Sequence, residues 1–276
     1  MSTLSLDAHQ KTLPRHAAET ASRSLLPHRP VTAPSAIAIA KNFPLWGAGD
    51  GAQCVYKVES GLVVLLHEDK YGDRRRVDLI GPGGTLGETA LVDAAPSGLI
   101  AVALVPSTLL TLNVSGIRGA LSPALTRALL ATLASRTRTQ QETVIRLRRQ
   151  GVSSRIAHAL CELSGYHPNS KQGSALVDAQ IQQVDLALLT WTLRETICAG
   201  LRSFEQRGWI ERSAQAHSPM RIFPERGLLA HAQRGASACV IGWPSHERAV
   251  TTQTALWDHL VSSRQGDTGL SDRLEP

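Results

Sequence analysis

Arg194, Glu195 and Thr196 are the residues of this 276-residue chain whose types and spacing are best suited to chemistry. An arginine presents a planar fork to the O6 and N7 of guanine, a glutamate accepts from the N4 of cytosine, and a threonine hydroxyl anchors a phosphate. Such work needs a helix whose other side is held inward. Ile197, Leu201 and Phe204 recur at steps of four and three, so they share one face of a 3.6-residue period. Arg194, Glu195 and Arg202 fall off that stripe. Upstream, Ile181, Val184, Leu186, Leu188 and Leu189 mark a first helix. Thr190-Trp191-Thr192 is a polar break in which Thr192 is expected to cap the second helix. Two short amphipathic helices with a tight turn, then a step into a β-wing, predict a helix-turn-helix whose second helix enters the major groove of DNA. A pair of core helices that binds nothing shows the same apolar period; the outward Arg-Glu-Thr separates the two readings. At the starts of helices, Gln182, Gln183 and Ser153 are expected to touch phosphate without specifying sequence, as are Thr192 or Thr196 and Arg202.

From Ile181 to Ile210 the chain resembles, without a gap, the winged helix-turn-helix of the cyclic-AMP receptor protein and fumarate-nitrate regulator (CRP/FNR) superfamily. Asp185-Leu186-Ala187, Arg194-Glu195-Thr196, Leu201 and Gly208-Trp209-Ile210 carry the likeness. Many members have a further Arg on the next exposed turn of this helix, where this chain has Ala199 after Cys198. The operator is therefore expected to depart from the family's commonest one, or to be read more loosely at one base pair.

Residues 42–113 read as all-β. Short apolar runs (Cys54-Val55-Tyr56, Leu62 to Leu66, Val77 to Ile80, Ala101 to Leu104, Leu109 to Leu112) alternate with Gly, Pro and Asp turn signals, which predicts a sandwich or barrel. In detail this half is similar to the family's cyclic-nucleotide-binding β-roll. Gly47-Ala48-Gly49-Asp50 reads as a turn, Tyr56 to Gly61 as a strand and turn, and Leu79 to Leu91 resembles the phosphate-binding cassette. In such a cassette a Gly-rich turn and free amides face an anion, a Glu accepts the ribose hydroxyl, and an Arg neutralises the phosphate. The resemblance places Gly87 and Glu88 in that pocket, puts the Arg position on Ser97 and the following Ser position on Gly98, and adds Gln140 and Gln141 from the next helix. No Arg stands between Arg76 and Arg118. A cyclic phosphate thus loses its cation, and Gly87 and Glu88 also fit a plain fold role, as turn and helix cap. No cofactor is assigned, and any effector is unknown.

Pro123 to Gln150 lacks internal Pro and Gly and is rich in helix formers. Leu133, Thr137, Gln140, Val144 and Leu147 follow an a/d seam. That seam suits either the chain's own β domain or a second copy of itself; the resemblance implies a parallel homodimer. Seven Arg and one Glu lie in 116–150, so most of the net charge of +6 sits on this helix, a solvated basic face that also favours approach to DNA. Gly151 is expected as a C-cap or hinge.

The expected class is α+β: a mobile arm (1–36), a β-roll or jelly-roll sensor (37–115), a dimerisation helix (116–150), a winged helix-turn-helix (151–234) and a C-terminal tail (235–276) that is either disordered or docked. Cys54, Cys161, Cys198 and Cys239 lie far apart, no His pair has metal spacing, and no catalytic pair is visible, so neither metal nor catalytic residues are assigned. Cys198 is expected to be a small packing residue. No apolar stretch reaches about eighteen residues and no signal peptide is evident, so a cytoplasmic protein away from the membrane is expected. Its expected partners are double-stranded DNA and a second copy, with RNA polymerase the further partner an activator requires. The rivals are a small β-barrel enzyme and a cyclic-nucleotide-binding regulatory protein acting on a protein partner.

Overall fold

The computed structural model describes residues 34–50, 53–92, 95–114, 117, 121–165, 173–213, 218–234 and 243–267, with side chains of the last helix described from Val250 to Ser262. The arm expected over 1–36 lies outside the described residues up to 33, and its last two residues open the first strand. Eight strands form the N-terminal half: β1 (Ser35–Ile39), β2 (Pro44–Trp46), β3 (Cys54–Ser60), β4 (Val63–Glu68), β5 (Arg74–Ile80), β6 (Thr85–Leu86), β7 (Ile100–Ala103) and β8 (Ser107–Asn113). They make two antiparallel sheets, ordered β1-β8-β3-β6 and β2-β7-β4-β5. A one-turn 3₁₀ helix, Glu88–Leu91, follows β6.

The apolar runs are continuous because each sheet is covered on both faces. In β4, Val63 and Leu65 point into the core between the sheets, while Val64 and Leu66 point outward into a second core. In β7, Ala101 and Ala103 face in and Ile100 and Val102 face out. That second core belongs to the C-terminal domain, which seats Ile156, Leu160, Leu186, Ile197 and Phe204 against this sheet.

The stem helix α1 (Pro123–Arg149) starts at Ser122, whose Oγ accepts from the Leu125 amide at 3.2 Å. Gly151 lies in extended backbone as the N-cap of α2 (Val152–Leu163), so the step between the helices uses no left-handed cap. Strand β9 (Ala175–Val177) precedes α3 (Gln183–Thr190) and α4 (Arg194–Gln206); β10 (Ile210–Glu211) and β11 (Met220–Ile222) then form the wing, in a sheet ordered β10-β11-β9. A short α5 (Leu228–Ala232) follows.

The described part of the tail is helical. Helix α6 (Trp243–Asp267) returns to lie along α1. Leu256, Trp257 and Leu260 are buried with Val55, Leu91, Leu112, Leu125 and Leu129, covering the outer face of the first sheet. This packing divides the faces of α1. Leu133 packs into that cluster and Leu147 is half-buried, whereas Leu130, Ala134, Thr137, Gln141, Val144 and Arg148 form the exposed stripe. The cause is α6, which takes the neighbouring face.

Candidate nucleic-acid interface

Helix α4 separates its two faces sharply. Ile197, Leu201 and Phe204 are 0–1% exposed, while Arg194, Glu195, Thr196, Ala199 and Arg202 stand exposed. Phe204 is boxed by Trp209 and His231, with ring centroids 5.6 and 5.8 Å away. At Gly200 an added Cβ would lie 2.8 Å from Ile156 Cδ1, so glycine permits the close crossing of α4 over α2. Gly208 ends the helix at φ +68°, donating to the Glu205 carbonyl at 2.9 Å.

The turn between α3 and α4 differs from the expected capping by Thr192. Leu193 holds the N-cap position of α4, with no side-chain oxygen to cap it, and is 62% exposed. Chain reversal falls to Trp191, left-handed at φ 54°, an uncommon conformation for a bulky residue. Its indole Nε1 donates to the Arg76 carbonyl of β5 at 3.1 Å, and the Arg75 guanidinium lies 5.6 Å from the ring centre. Thr190 is buried and donates to the Leu186 carbonyl.

The expected phosphate contacts scatter. Gln182 is exposed at the N-cap of α3, and its amide donates to Asp185 Oδ2 at 2.8 Å. Gln183 is half-buried; its Oε1 accepts from the Cys198 thiol at 2.9 Å, so Cys198 bridges the two helices. Ser153 Oγ lies 2.8 Å from His231 Nε2. Thr192 is half-buried, and Arg202 Nε donates to the Cys198 carbonyl at 3.3 Å.

Ion pairs tie this domain to the β-roll. Arg76, 8% exposed, meets Glu162 of α2 in a bidentate pair at 2.8 and 2.5 Å. Burial opposes ionisation of Glu162, but the charge and hydrogen bonds of Arg76 hold its carboxyl well below the usual carboxylate range. His158 Nε2 lies 2.5 Å from Arg146 Nη1, and burial, then the Arg146 charge, push it down to about 3. Lys41, from the turn after β1, pairs with the buried Asp185 at 2.7 Å. These interdomain residues escaped sequence reasoning because each partner is distant in the chain.

The expected effector pocket divides as well. Gly87 is held at φ +82°, and an added Cβ would lie 2.5 Å from the Cys54 carbonyl oxygen, so the backbone itself demands glycine there. Glu88 is 1% exposed and pairs with Arg136 of α1, which also donates to the Thr85 carbonyl at 2.5 Å and lies 3.5 Å from Asp78. The structure thus brings a cation to Glu88 from a helix where only Gln140 and Gln141 were singled out. Arg136 lies one turn before Gln140, the signal that could have found it. Among the described residues, Glu88 Oε2 and Thr85 Oγ1 have no hydrogen-bond partner. Ser97 and Gly98 lie apart from this group. Ser97 Oγ donates to the Leu99 carbonyl, and its backbone is bonded to Gly49 and Asp50; Gly98 is exposed. The cavity here is about 30 Å³, room for one or two waters, and is lined by Asp78, Ile80, Arg136, Thr139, Val250 and Gln253. Gln140 is half-buried and Gln141 exposed, and neither lines it. The Ser97 hydroxyl is turned onto the Leu99 carbonyl, Glu88 is engaged by Arg136, and Val250 and Gln253 of α6 line the cavity.

No group of three or more His, Cys, Asp or Glu suited to a metal occurs among the described residues, and none of their helices is long and apolar enough to cross a membrane.

Comparison with known proteins separates the same two halves. A cyclic nucleotide-binding domain model matches residues 37–122, and a Crp-like helix-turn-helix domain model matches residues 154–230. The cyclic AMP receptor protein of Thermus thermophilus is 31% identical over 167 residues, 60% of this chain and 74% of the relative. A CRP-like cAMP-activated global transcriptional regulator of Mycobacterium tuberculosis is 25% identical over 168 residues, 60% of this chain and 75% of that protein. The crystal structure of a CRP/FNR-family transcriptional regulator from Thermus thermophilus superposes with a TM-score of 0.59 at 24% identity, covering 73% of this chain and 100% of the other. Residues beyond 234 lie outside both domain matches.

Proposed function

We propose, from the premise that the chain belongs to the CRP/FNR superfamily and is a transcription regulator with a helix-turn-helix DNA-binding domain, that it acts in the cytoplasm as a homodimer reading inverted-repeat DNA. Arg194 contacts a guanine and Glu195 a cytosine, while Thr196 anchors phosphate. Thr192, Gln182, Gln183, Ser153 and Arg202 are the further phosphate contacts. The observation that carries this assignment is the exposure of Arg194, Glu195 and Thr196 on the first turn of a helix whose opposite face is fully buried. Two such helices related by a two-fold axis address half-sites about one DNA turn apart. The exposed stripe on α1, with Leu130 at 62% and Val144 at 54%, supports pairing of two stems.

The sensor half is not tuned to cyclic AMP, a reading supported by Ser97 at the expected Arg position and by the engagement of Glu88 with Arg136. Binding, not catalysis, is the proposed activity. Selection from a pool of palindromic DNA, with and without cyclic AMP and cyclic GMP, tests the whole. It is expected to yield an inverted repeat with guanine and cytosine in each half-site, enriched equally in all three conditions. Recovery of no preferred sequence favours the alternative, a nucleotide-binding regulatory protein that acts on a protein partner.

A further inference from the structure

Besides its apolar packing on the first sheet, helix α6 meets the β-roll at the turn Gly81 to Thr85. At Gly83, φ +83°, an added Cβ would lie 2.7 Å from Val250 Cγ1, so this glycine leaves room for α6; at Gly84 it would meet Ile80 Cγ2 at 2.6 Å and the Gly81 carbonyl at 3.0 Å before Gln253 Oε1 at 3.1 Å, so that glycine serves the turn first. Gln253, 7% exposed, accepts from the Thr85 amide at 2.9 Å, so a side chain of α6 satisfies a backbone donor of the cassette-like turn. Thr132 of α1 donates to the Thr252 carbonyl at 3.2 Å. Val250, Gln253, Trp257 and Leu260 follow steps of three and four, one face of a helix, and that face continues into the buried Leu256-Trp257-Leu260 cluster. A diffusible anion that used the turn's amides would have to displace Gln253.

We infer that α6 is a tethered ligand of the β-roll: its Val250–Leu260 face fills the groove between the Gly81–Thr85 turn and the stem, so docking of the chain's own C-terminal helix, not a diffusible cyclic nucleotide, sets the DNA-binding state. This rests on the DNA-binding reading above. The occupant has defined chemistry, an amphipathic helix presenting one amide side chain to a backbone N–H and three large apolar groups to the stem. It lines the cavity beside Arg136 and packs along α1, which Arg136 joins to β6 through the Thr85 carbonyl. An effector shifts a conformational equilibrium only through differential affinity for its states; a covalently attached one acts at a fixed, high effective concentration.

The test uses the full chain and the selected operator. Parent protein is expected to bind the operator without nucleotide, with no change on adding cyclic AMP or cyclic GMP. Gln253→Ala should speed hydrogen exchange at the Thr85 amide and weaken operator binding by about three- to tenfold. Gly83→Ala places a methyl against Val250 and should weaken binding likewise, and Val250→Ala in that background should restore part of the loss. Such compensation is not produced by backbone strain at residue 83 alone. A parent that binds no operator overturns the regulator reading itself. A parent that binds only with cyclic AMP, or variants that expose the Thr85 amide yet bind as tightly as the parent, overturn the tethered-ligand role. Loss of binding in Gly83→Ala with no recovery in the double variant also counts against it.

Discussion

The two sheets of the β-roll are covered on their outer faces in different ways. One carries α6, attached by Leu256, Trp257 and Leu260, with Gln253 accepting from the Thr85 amide at its edge. The other carries the DNA-binding domain, attached by an apolar patch framed by Arg76–Glu162, Lys41–Asp185 and the Trp191 indole on the Arg76 carbonyl. Apolar docking is non-directional and scales with the area buried. Ion pairs at a domain boundary respond to pH and salt, and breaking one partner leaves the other uncompensated. The contrast teaches how each joint responds: α6 leaves the stem and first sheet only by exposing apolar surface, whereas the DNA-binding domain, seated on its own apolar patch, is framed by charges that pH and salt can loosen.

Substitutions break or sharpen that contrast. Trp257→Ala should cause the largest loss, about 3–5 kcal/mol, read as a lower urea midpoint, because it opens a cavity in a closed apolar cluster. Glu162→Gln should cost about 3 kcal/mol by stranding buried Arg76, and should speed hydrogen exchange in α3 and α4 while α6 stays protected.

Acid should act on the ion pairs that frame the DNA-binding domain. His158 is held at about 3 against an ordinary 6.5, and Glu162 is held below its ordinary 4.5. Both bind protons less readily folded than unfolded. Their contributions are therefore complete above the ordinary values and are lost as pH falls, from 6.5 downward for His158 and from 4.5 downward for Glu162. Exchange measured across this range should rise in α2 to α4 before α6. The smallest expected effect is a gain: Leu193→Ser supplies the missing cap of α4 and should stabilise by about 1 kcal/mol, read as a raised thermal midpoint.

The recognition helix was legible because its signal is local: Ile197, Leu201 and Phe204 fix a face within eight residues, and the exposed residues follow from it. The strands were legible from apolar runs, but what covers their outer faces was not, since Val64 and Leu66 carry no mark of the partner that buries them. Thr192 had the chemistry of a cap, yet the left-handed Trp191 moved the helix start to Arg194. Of the seam expected on α1, Thr137 and Val144 stand exposed while Leu133 packs beside α6, because the period allows adjacent stripes and α6 takes one of them. Helix α6 itself carried a readable stripe at 250, 253, 257 and 260, which the polar surroundings of the tail obscured. Arg136 was missed because a cation was sought only for a bound phosphate and only within the β-roll, while the stem sends one to Glu88.

The most direct test of the central claim is a shift titration of Arg194→Ala against the selected operator and against the same site with each guanine of the half-site replaced in turn. Loss of the guanine contact should cost about 1–3 kcal/mol on the intact operator, and the variant should become indifferent to replacement at one guanine. Binding by Arg194→Ala as tight and as selective as the parent's would show that the exposed turn of α4 does not read base pairs.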